Sequence, residues 1–455
     1  MTTFHFLPEI AAAFGHQGAE IQLTGQGDLP SCFRVTDLAA ESIAYAGALI
    51  ERYRSGDNTA AISVDRRLAS FWFDMTIRPQ GWLLPSIWDA VAGDYATADG
   101  WIRLHTNAPH HRKAALSVLG CEADRGAVAT AVQQWRADEL EQAIVEQGGC
   151  AAAMRSMAGW AQHRQGQAVS AEPLVNITEL NRNYSPSGDA IAIDALRPLR
   201  GVKVLDLTRV LAGPVAGRFL AAYGAEVLRI DPPDWDEPAV IPEVVLGKRC
   251  ARLDLRRDAN LEQFKQRLAE CDVILHGYRP GALDSLGLSD DERYAINPHA
   301  VDVALCAYGW SGPWASRRGF DSLVQMSCGI AQQGMESYST DKPKPLPVQA
   351  LDHATGYLLA AAVINGLLQR REQGTVTRSR LSLARTACLL QTGGSDRADK
   401  TQPLEAEGSA DINPLLEQTS WGPAQRVNFP LFIPECPAWW QHPAKVLGSA
   451  EATHW

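Results

Sequence analysis

The sequence predicts an α/β fold whose core is a parallel sheet covered by helices on both faces. The segment 204–231, VLDLTRVLAGPVAGRFLAAYGAEVLRID, has the pattern strand, loop, helix, strand: its two apolar runs end in acids, and a helix of small residues between them ends at Gly224. Further short apolar runs follow, with helical patterns between several of them, as in doubly covered parallel sheets. The predicted strands span residues 202–207, 227–230, 250–255, 272–275 and 301–305.

A second, smaller α/β domain is predicted ahead of this sheet, because the residues up to about 175 are rich in helical patterns and poor in strands. One clear strand, residues 101–105, follows an Asp-Gly turn signal, and helices follow it. We therefore predict a small α/β domain over 76–175 and a Rossmann-like large domain over 196–390. A polar stretch rich in Asn, Ser, Pro and Gly predicts a linker over 176–195.

The composition excludes several classes of protein. The chain has 455 residues, 46% of them hydrophobic and 21% charged, which is typical of a globular protein of more than one domain. Its net charge of −10 disfavours nucleic acid or an anionic membrane as the main partner, and no apolar run is long enough to span a bilayer. Nine scattered Cys without a C-x-x-C pair, and a start without a basic region, indicate a reducing, cytoplasmic location.

The loop that opens the large domain is not a G-x-G-x-x-G fingerprint. Gly213 and Gly217 are one helical turn apart, so they could admit an anion at the helix N-terminus or let the helix pack closely on the sheet. The cation-rich segment 246–258 could bind phosphates or protect a sheet edge. Tyr278, in a turn after a strand, could stack on a flat ring or anchor that turn. These residues alone do not decide between a binding role and a structural role.

Asp352 opens an apolar helix and has two possible roles. Aspartate is a favoured N-cap, but a carboxylate at a strand-to-helix junction can also attack an activated acyl group. The segment from Leu351 is echoed by one from Thr36: both run acid, Ala-rich helix, basic end, Gly and a short strand, with Asp37 in the place of Asp352. No metal site is predicted, and His110-His111, at the start of a helix, is expected to face solvent.

A long ordered series of segments resembles the class III CoA-transferases, the CaiB/BaiF family, which includes formyl-CoA and carnitine CoA-transferases and alpha-methylacyl-CoA racemase. The resemblance covers residues 196–390. It rests on LRPLRGVKVLDLTRVLAGPVAGRFLAAYGAEVLRIDPP, GKRCARLDL, DVILHGYRPGALDSLGL, NPHAVDVALCAYGWSGPWASRRGFDSLVQMSCGIA and ALDHATGYLLAAAVINGLLQRREQG.

The resemblance implies an enzyme that transfers coenzyme A between an acyl-CoA thioester and a carboxylic acid, without a further cofactor. It implies that Asp352 is the nucleophile, through an aspartyl anhydride and an aspartyl-CoA thioester. The large domain is then expected to hold coenzyme A rather than a dinucleotide. The implied coenzyme A contacts are Arg209, Val210, Leu211, Ala212, Leu253, Gly277, Tyr278 and Ala282. The family also implies an interlocked homodimer.

Two departures leave alternatives open. The family's racemases carry His-Asp where this chain has Phe320-Asp321, so racemisation lacks its second acid/base and is disfavoured. The order of parts is rearranged: residues 1–75 resemble the end of the family's large domain, and 76–175 and the loop and tail 391–455 resemble its small domain. A non-catalytic coenzyme A-binding or scaffold protein is therefore the alternative, with Asp37 as a relic or a helix cap.

Overall fold

A computed structural model describes residues 3–15, 20–56, 61–182, 184, 193–396 and 402–455. The α/β class predicted from the sequence is confirmed. The helices are α1 (Leu7–Phe14), α2 (Val35–Ser55), α3 (Arg66–Trp72), α4 (Pro109–Leu119), α5 (Arg125–Val132), α6 (Ala137–Glu146), α7 (Met157–Gln162), α8 (Arg164–Ala171), α9 (Ala212–Ala222), α10 (Ile241–Val244), α11 (Asp258–Glu270), α12 (Asp290–Ile296), α13 (Asp321–Ser327), α14 (Ile330–Ser337), α15 (Ala350–Gln373) and α16 (Leu383–Thr392).

The strands form one large and three small sheets. They are β1 (Ile21–Thr24), β2 (Ile62–Asp65), β3 (Ile77–Pro79), β4 (Gly93–Ala96), β5 (Trp101–Leu104), β6 (Ala151–Ala153), β7 (Asn176–Asn181), β8 (Lys203–Leu207), β9 (Glu226–Asp231), β10 (Lys248–Arg252), β11 (Val273–His276), β12 (Val301–Cys306), β13 (Val376–Ser382), β14 (Glu417–Thr419), β15 (Gly422–Arg426) and β16 (Leu431–Phe432).

The large sheet has the order β10-β9-β8-β11-β12-β13-β7. All its pairs are parallel except the last, in which β7 runs antiparallel to β13. Counted from β8, the parallel strands follow the order 3-2-1-4-5-6, so the strand order reverses between β8 and β11. In such sheets ligands bind at this reversal, outside the carboxyl ends of the strands. The topology thus directs attention to the loops after β8 and β11.

Two predicted boundaries differ from the structure. The strand expected at 250–255 begins earlier, as β10, because Lys248 to Arg252 pair with β9 from Val227 to Asp231. Residues 176–181, expected to be linker, form β7, while 183 and 185–192 lie outside the described residues. An edge strand pairs on one side only and tolerates polar side chains. The sequence of β7, NITELN, therefore has the polar composition that is typical of a loop.

The small α/β unit lies against the large one. Its antiparallel sheet β4-β5-β6 packs on α4, α5 and α6, around apolar side chains that include Val128, Leu140 and Ile144. A separate cluster joins β6 to α13, where Ala152 is buried with Leu323. The start of α4 is thereby brought next to the loop that precedes α13.

The repeat seen in the sequence is present in the structure. Helix α2, strand β2 and helix α3 match α15, β13 and α16 in order, and α2 and α15 pack side by side. The tail pairs with the first of these units through β16, which joins β2, and with the strand that follows this unit, since β15 joins β3. Helix α15 is long and apolar enough to cross a membrane, but its apolar window is entirely buried within the protein.

Candidate active site

A cavity of about 490 Å³ lies at the carboxyl ends of β8, β11 and β12, where the strand order reverses. The loop after β8 and the loop after β11 form one wall, and the start of α4 and the loop before α13 form another. The cavity brings together most of the residues predicted from the sequence: Arg209, Val210, Leu211, Ala212, Gly277, Tyr278, Ala282 and Asp352.

Leu253 is the predicted contact that does not line this cavity. It is 6% exposed and belongs to an apolar cluster with Leu228 and Phe264, on the side of the sheet that α11 covers. Its backbone N–H donates to the carbonyl of Asp231 at 3.0 Å, which continues the β9–β10 pairing. Leu253 therefore supports the sheet rather than the cavity wall.

The loop after β8 is strained and firmly held. Val210 has φ +64°, which is rare for a β-branched residue, and its N–H donates to Glu237 Oε1 at 2.8 Å. Arg209 donates from Nη2 to Tyr278 Oη at 2.8 Å, and its guanidinium lies over the rings of Trp235 and Tyr278. This arrangement presents a flat cation on the cavity wall, suited to an anionic or aromatic ligand.

The glycines of the opening loop serve packing. A Cβ on Gly217 would lie 2.7 Å from both Asp206 Oδ2 and Lys248 Nζ, two atoms joined in a buried ion pair at 2.8 Å. A Cβ on Gly213 would overlap the side chain of Thr208. Both contacts favour the explanation that small residues let α9 approach the sheet. Lys248 is thus structural, and among the described residues no cation of segment 246–258 lines the cavity.

Asp352 is the third residue of α15, and it is not the helix cap. The N-cap is Gln349, without a side-chain cap. Asp352 is 8% exposed, lines the cavity, and its carboxylate accepts no hydrogen bond within the described part of the chain. Burial, and then the nearby Asp321, raise its pKa well above the usual range. His353 points away, into a stack with Phe73.

Asp321 holds the start of α15 in place. One of its oxygens accepts the backbone N–H of Asp352 at 2.9 Å, and the other accepts Nε2 of Gln325 at 2.5 Å. The Gln325 carbonyl oxygen accepts the N–H of Leu346 at 2.7 Å, which ties the chain before α15 into the same network. Burial raises the pKa of Asp321 to about 6. The two aspartates are thus a pair of buried carboxyl groups that resist ionisation together.

His110 and His111, from the small unit, line the cavity, which the sequence did not predict. His105 stacks on Phe320 with ring centroids 3.8 Å apart, and His111 meets the edge of Phe320 at 5.8 Å. His110 is exposed as expected, but the expectation for His111 is wrong: it is 3% exposed and lines the cavity. Burial lowers the pKa of His105 and of His111 to about 3, so both rings are neutral.

Asp37 occupies the same position in α2 as Asp352 does in α15, but its surroundings differ. Its carboxylate is paired with Arg66, lies 3.5 Å from Arg34 Nη1, and lies 3.9 Å from His5 Nε2. It does not line the cavity described above. These cations hold its charge in place, so Asp37 is a structural ion-pair partner.

Part of the chain is similar to known proteins. Residues 199–413 match the model of CoA-transferase family III. A probable fatty acyl-CoA transferase of Mycobacterium tuberculosis is 33% identical over 43% of this chain and 52% of its own length. A succinyl-CoA:glutarate CoA-transferase of Mus musculus is 32% identical over 44% of this chain and 49% of its own. The crystal structure of a CAIB/BAIF family protein from Brucella suis shares 27% identity over 50% of this chain and 65% of its own, with a TM-score of 0.40.

The chain spans about half the length of the curated relatives it matches. The matched segment contains Asp352, both loops that line the cavity and the Asp321 network. The resemblance predicted from the sequence is confirmed for this part of the chain: residues 199–413 match CoA-transferase family III.

Proposed function

We propose that the protein transfers coenzyme A between an acyl-CoA thioester and a carboxylic acid, with Asp352 as the nucleophile. The observation that carries this proposal is the position of Asp352: its carboxylate lines the same cavity as Arg209 and Tyr278, and no cation of the described ranges pairs with it. Relatives named as fatty acyl-CoA and succinyl-CoA:glutarate transferases support the reaction class. Coenzyme A is a substrate here, and no other cofactor is proposed.

The proposed reaction has four balanced steps. The Asp352 carboxylate attacks the thioester carbonyl and expels coenzyme A thiolate, which leaves an acyl-aspartyl anhydride. The thiolate attacks the aspartyl carbonyl, releases the donor acid as a carboxylate and forms an aspartyl-CoA thioester. The acceptor carboxylate attacks that thioester, which gives a second anhydride and thiolate. The thiolate then attacks the acceptor's acyl carbonyl, so that acceptor-CoA leaves and the Asp352 carboxylate is restored.

Three parts of the protein fit these steps. Helix α9 begins at Ala212 on the cavity wall, and the first N–H groups of a helix lack partners within the helix, so we assign them to the developing oxyanion. Asp321 is a positioning residue, because it acts on Asp352 through the backbone N–H. Arg209 and Tyr278, joined by their hydrogen bond, would hold the coenzyme A portion.

The alternatives are less well supported. A scaffold without catalysis would be expected to bury the nucleophile against protein groups, whereas Asp352 reaches the cavity. A racemase needs a second acid/base near neutral pKa, whereas Phe320 has none and His111 has a pKa of about 3. We further propose that the protein is a cytoplasmic homodimer, as the family resemblance implies.

Chemical trapping tests the proposal. Incubation with a panel of acyl-CoA thioesters and hydroxylamine should place a hydroxamate on the peptide that contains Asp352. Asp352→Asn keeps the side-chain size and should remove both the label and turnover. Asp37→Asn, the same change at the equivalent helical position, should leave turnover nearly unchanged, with circular dichroism confirming the fold of both variants. A label on Asp37, or an Asp352→Asn variant that keeps most of its activity, contradicts the assignment.

A further inference from the structure

His111 is a buried polar side chain without a partner on the wall of the cavity. It is 3% exposed, and neither Nδ1 nor Nε2 has a hydrogen bond to any part of the chain that the structure describes. Its ring contacts are with Phe320 and with His110, whose centroid is 4.1 Å away. A buried imidazole left unpaired costs about 1–3 kcal/mol, so such a group in a cavity wall is expected to meet a ligand.

The neighbour of His111 on the same wall of the cavity is a cation. Arg318, in the loop before Phe320, lines the cavity, and its charge lowers the pKa of both His110 and His111 in addition to their burial. Its hydrogen bond is a long one, 3.3 Å from Nη1 to the carbonyl of Gly148. No carboxylate within the described ranges lies at ion-pair distance from it, whereas the adjacent Arg317 is paired with Glu141 at 3.1 Å.

One acid also lies on this part of the wall. Asp234 lines the cavity, and it raises the pKa of His110 against the larger effects of burial and Arg318. Asp234 does not affect the pKa of His111, which burial, His110 and Arg318 lower. The surroundings of His111 therefore combine a neutral hydrogen-bonding ring with an uncompensated positive charge, which suits an anion.

This subsite is separate from the nucleophile. Within the described residues Asp352 has no ion-pair partner, and burial and then Asp321 raise its pKa. Phe320 is in contact with His111 and directly precedes Asp321, which binds the start of α15. Because all three residues line one cavity, a ligand whose reacting carboxyl group meets Asp352 can extend its other end towards His111 and Arg318.

We infer that His111 and Arg318 bind the second carboxylate of a dicarboxylic acid, whose first carboxyl group is the one that exchanges coenzyme A. The neutral His111 donates one ring N–H to this carboxylate, and Arg318 supplies the opposite charge. The inference rests on the proposed function, whose substrate class it names. Both residues are specificity determinants rather than catalytic residues, since neither touches the reacting carboxyl group.

Binding calorimetry tests this without requiring turnover. Succinate, glutarate and adipate are compared with butyrate, valerate and hexanoate, with and without saturating coenzyme A. The wild type should bind at least one dicarboxylate about tenfold more tightly than the monocarboxylate of equal length. His111→Phe and Arg318→Met should each abolish that preference and leave coenzyme A affinity within about twofold. Lys113→Met, which removes a positive charge from the same helix α4 outside the cavity, should keep the preference.

The outcomes separate the two proposals. Equal binding of both series, or a preference that survives in both variants, overturns the inference. So does an Arg318→Met protein that loses coenzyme A affinity but still prefers dicarboxylates, because Arg318 would then belong to the coenzyme A phosphates. If dicarboxylates bind with the expected preference but no acyl-CoA is ever turned over, the proposed function fails and the subsite stands.

Discussion

Asp352→Asn should remove activity and at the same time stabilise the protein, by a margin that grows with pH. Asp352 and Asp321 are buried carboxyl groups side by side, and ionising them in the folded state is unfavourable. Asn has nearly the same shape and carries no titrating proton. The substitution therefore removes a cost that the wild type bears whenever Asp352 is ionised in the unfolded chain.

The magnitude follows from the raised pKa values. An aspartate in an unfolded chain has a pKa of about 3.9, and each unit of difference is worth about 1.4 kcal/mol. A carboxyl group whose pKa is raised in the folded state contributes most to the free energy of unfolding below about pH 4. That contribution is lost as pH rises towards the pKa of the folded state. Asp321, with a pKa of about 6, loses about 3 kcal/mol across this window. The pKa of Asp352 is raised by the same burial and by Asp321 as well, so the stability gained by the variant should grow as pH rises above about 4.

Urea denaturation at pH 4, 5, 6 and 7.5 measures this gap. The matched control is Asp37→Asn, which alters the third residue of α2 instead of α15. Asp37 is paired with Arg66 and Arg34, so this variant should be less stable than the wild type, by more than about 1 kcal/mol. An Asp352→Asn protein that is less stable than the wild type at pH 7.5, or a gap that does not change with pH, would refute the reasoning.

Three further outcomes are expected. Asp321→Asn should shift the rising limb of the kcat/KM–pH profile towards lower pH. The ionised Asp352 is the nucleophile, and the variant removes the neighbouring carboxyl group that raises its pKa. A profile that does not move counts against the coupling of Asp321 and Asp352. Arg209→Ala should weaken coenzyme A binding about tenfold by calorimetry, while Arg256→Ala, which only breaks an exposed pair with Asp254, should not; equal effects would remove Arg209 from the site. Light scattering should give a dimer at micromolar concentration, and a stable monomer would end the dimer proposal.

The parallel sheet could be predicted because its signals are local. Strands β8, β9, β11 and β12 are each a largely apolar run bounded by turn residues, so the pattern alone locates them within two or three residues. The edge strand β7 could not be recognised, since its polar residues leave only its pairing with β13 as evidence. The cavity could be placed as well, because the loops after β8 and β11 must meet wherever the strand order reverses.

The remaining parts of the site depend on packing between units that are distant in sequence. His110 and His111 are adjacent at the start of a helix, so their side chains point about 100° apart, and nothing local decides which of them is buried. The docking of β6 on α13 decides it, by closing the small unit over Phe320. Leu253 was assigned to the site through the family resemblance, but the residue lies on the face of the sheet that α11 covers.

The repeated unit shows most clearly why position alone does not define a nucleophile. Asp37 and Asp352 are both the third residue of a long buried helix followed by a strand and a short helix, so the helix dipole acts on them alike. What differs is the surroundings: Arg34 and Arg66 reach Asp37, which satisfies and immobilises its charge. Asp352 has instead a buried acid beside it and an open cavity in front of it. A carboxylate that burial and a neighbouring acid destabilise in this way is able to attack a thioester. A carboxylate held in two ion pairs would first have to break both pairs, which costs several kcal/mol in a buried site.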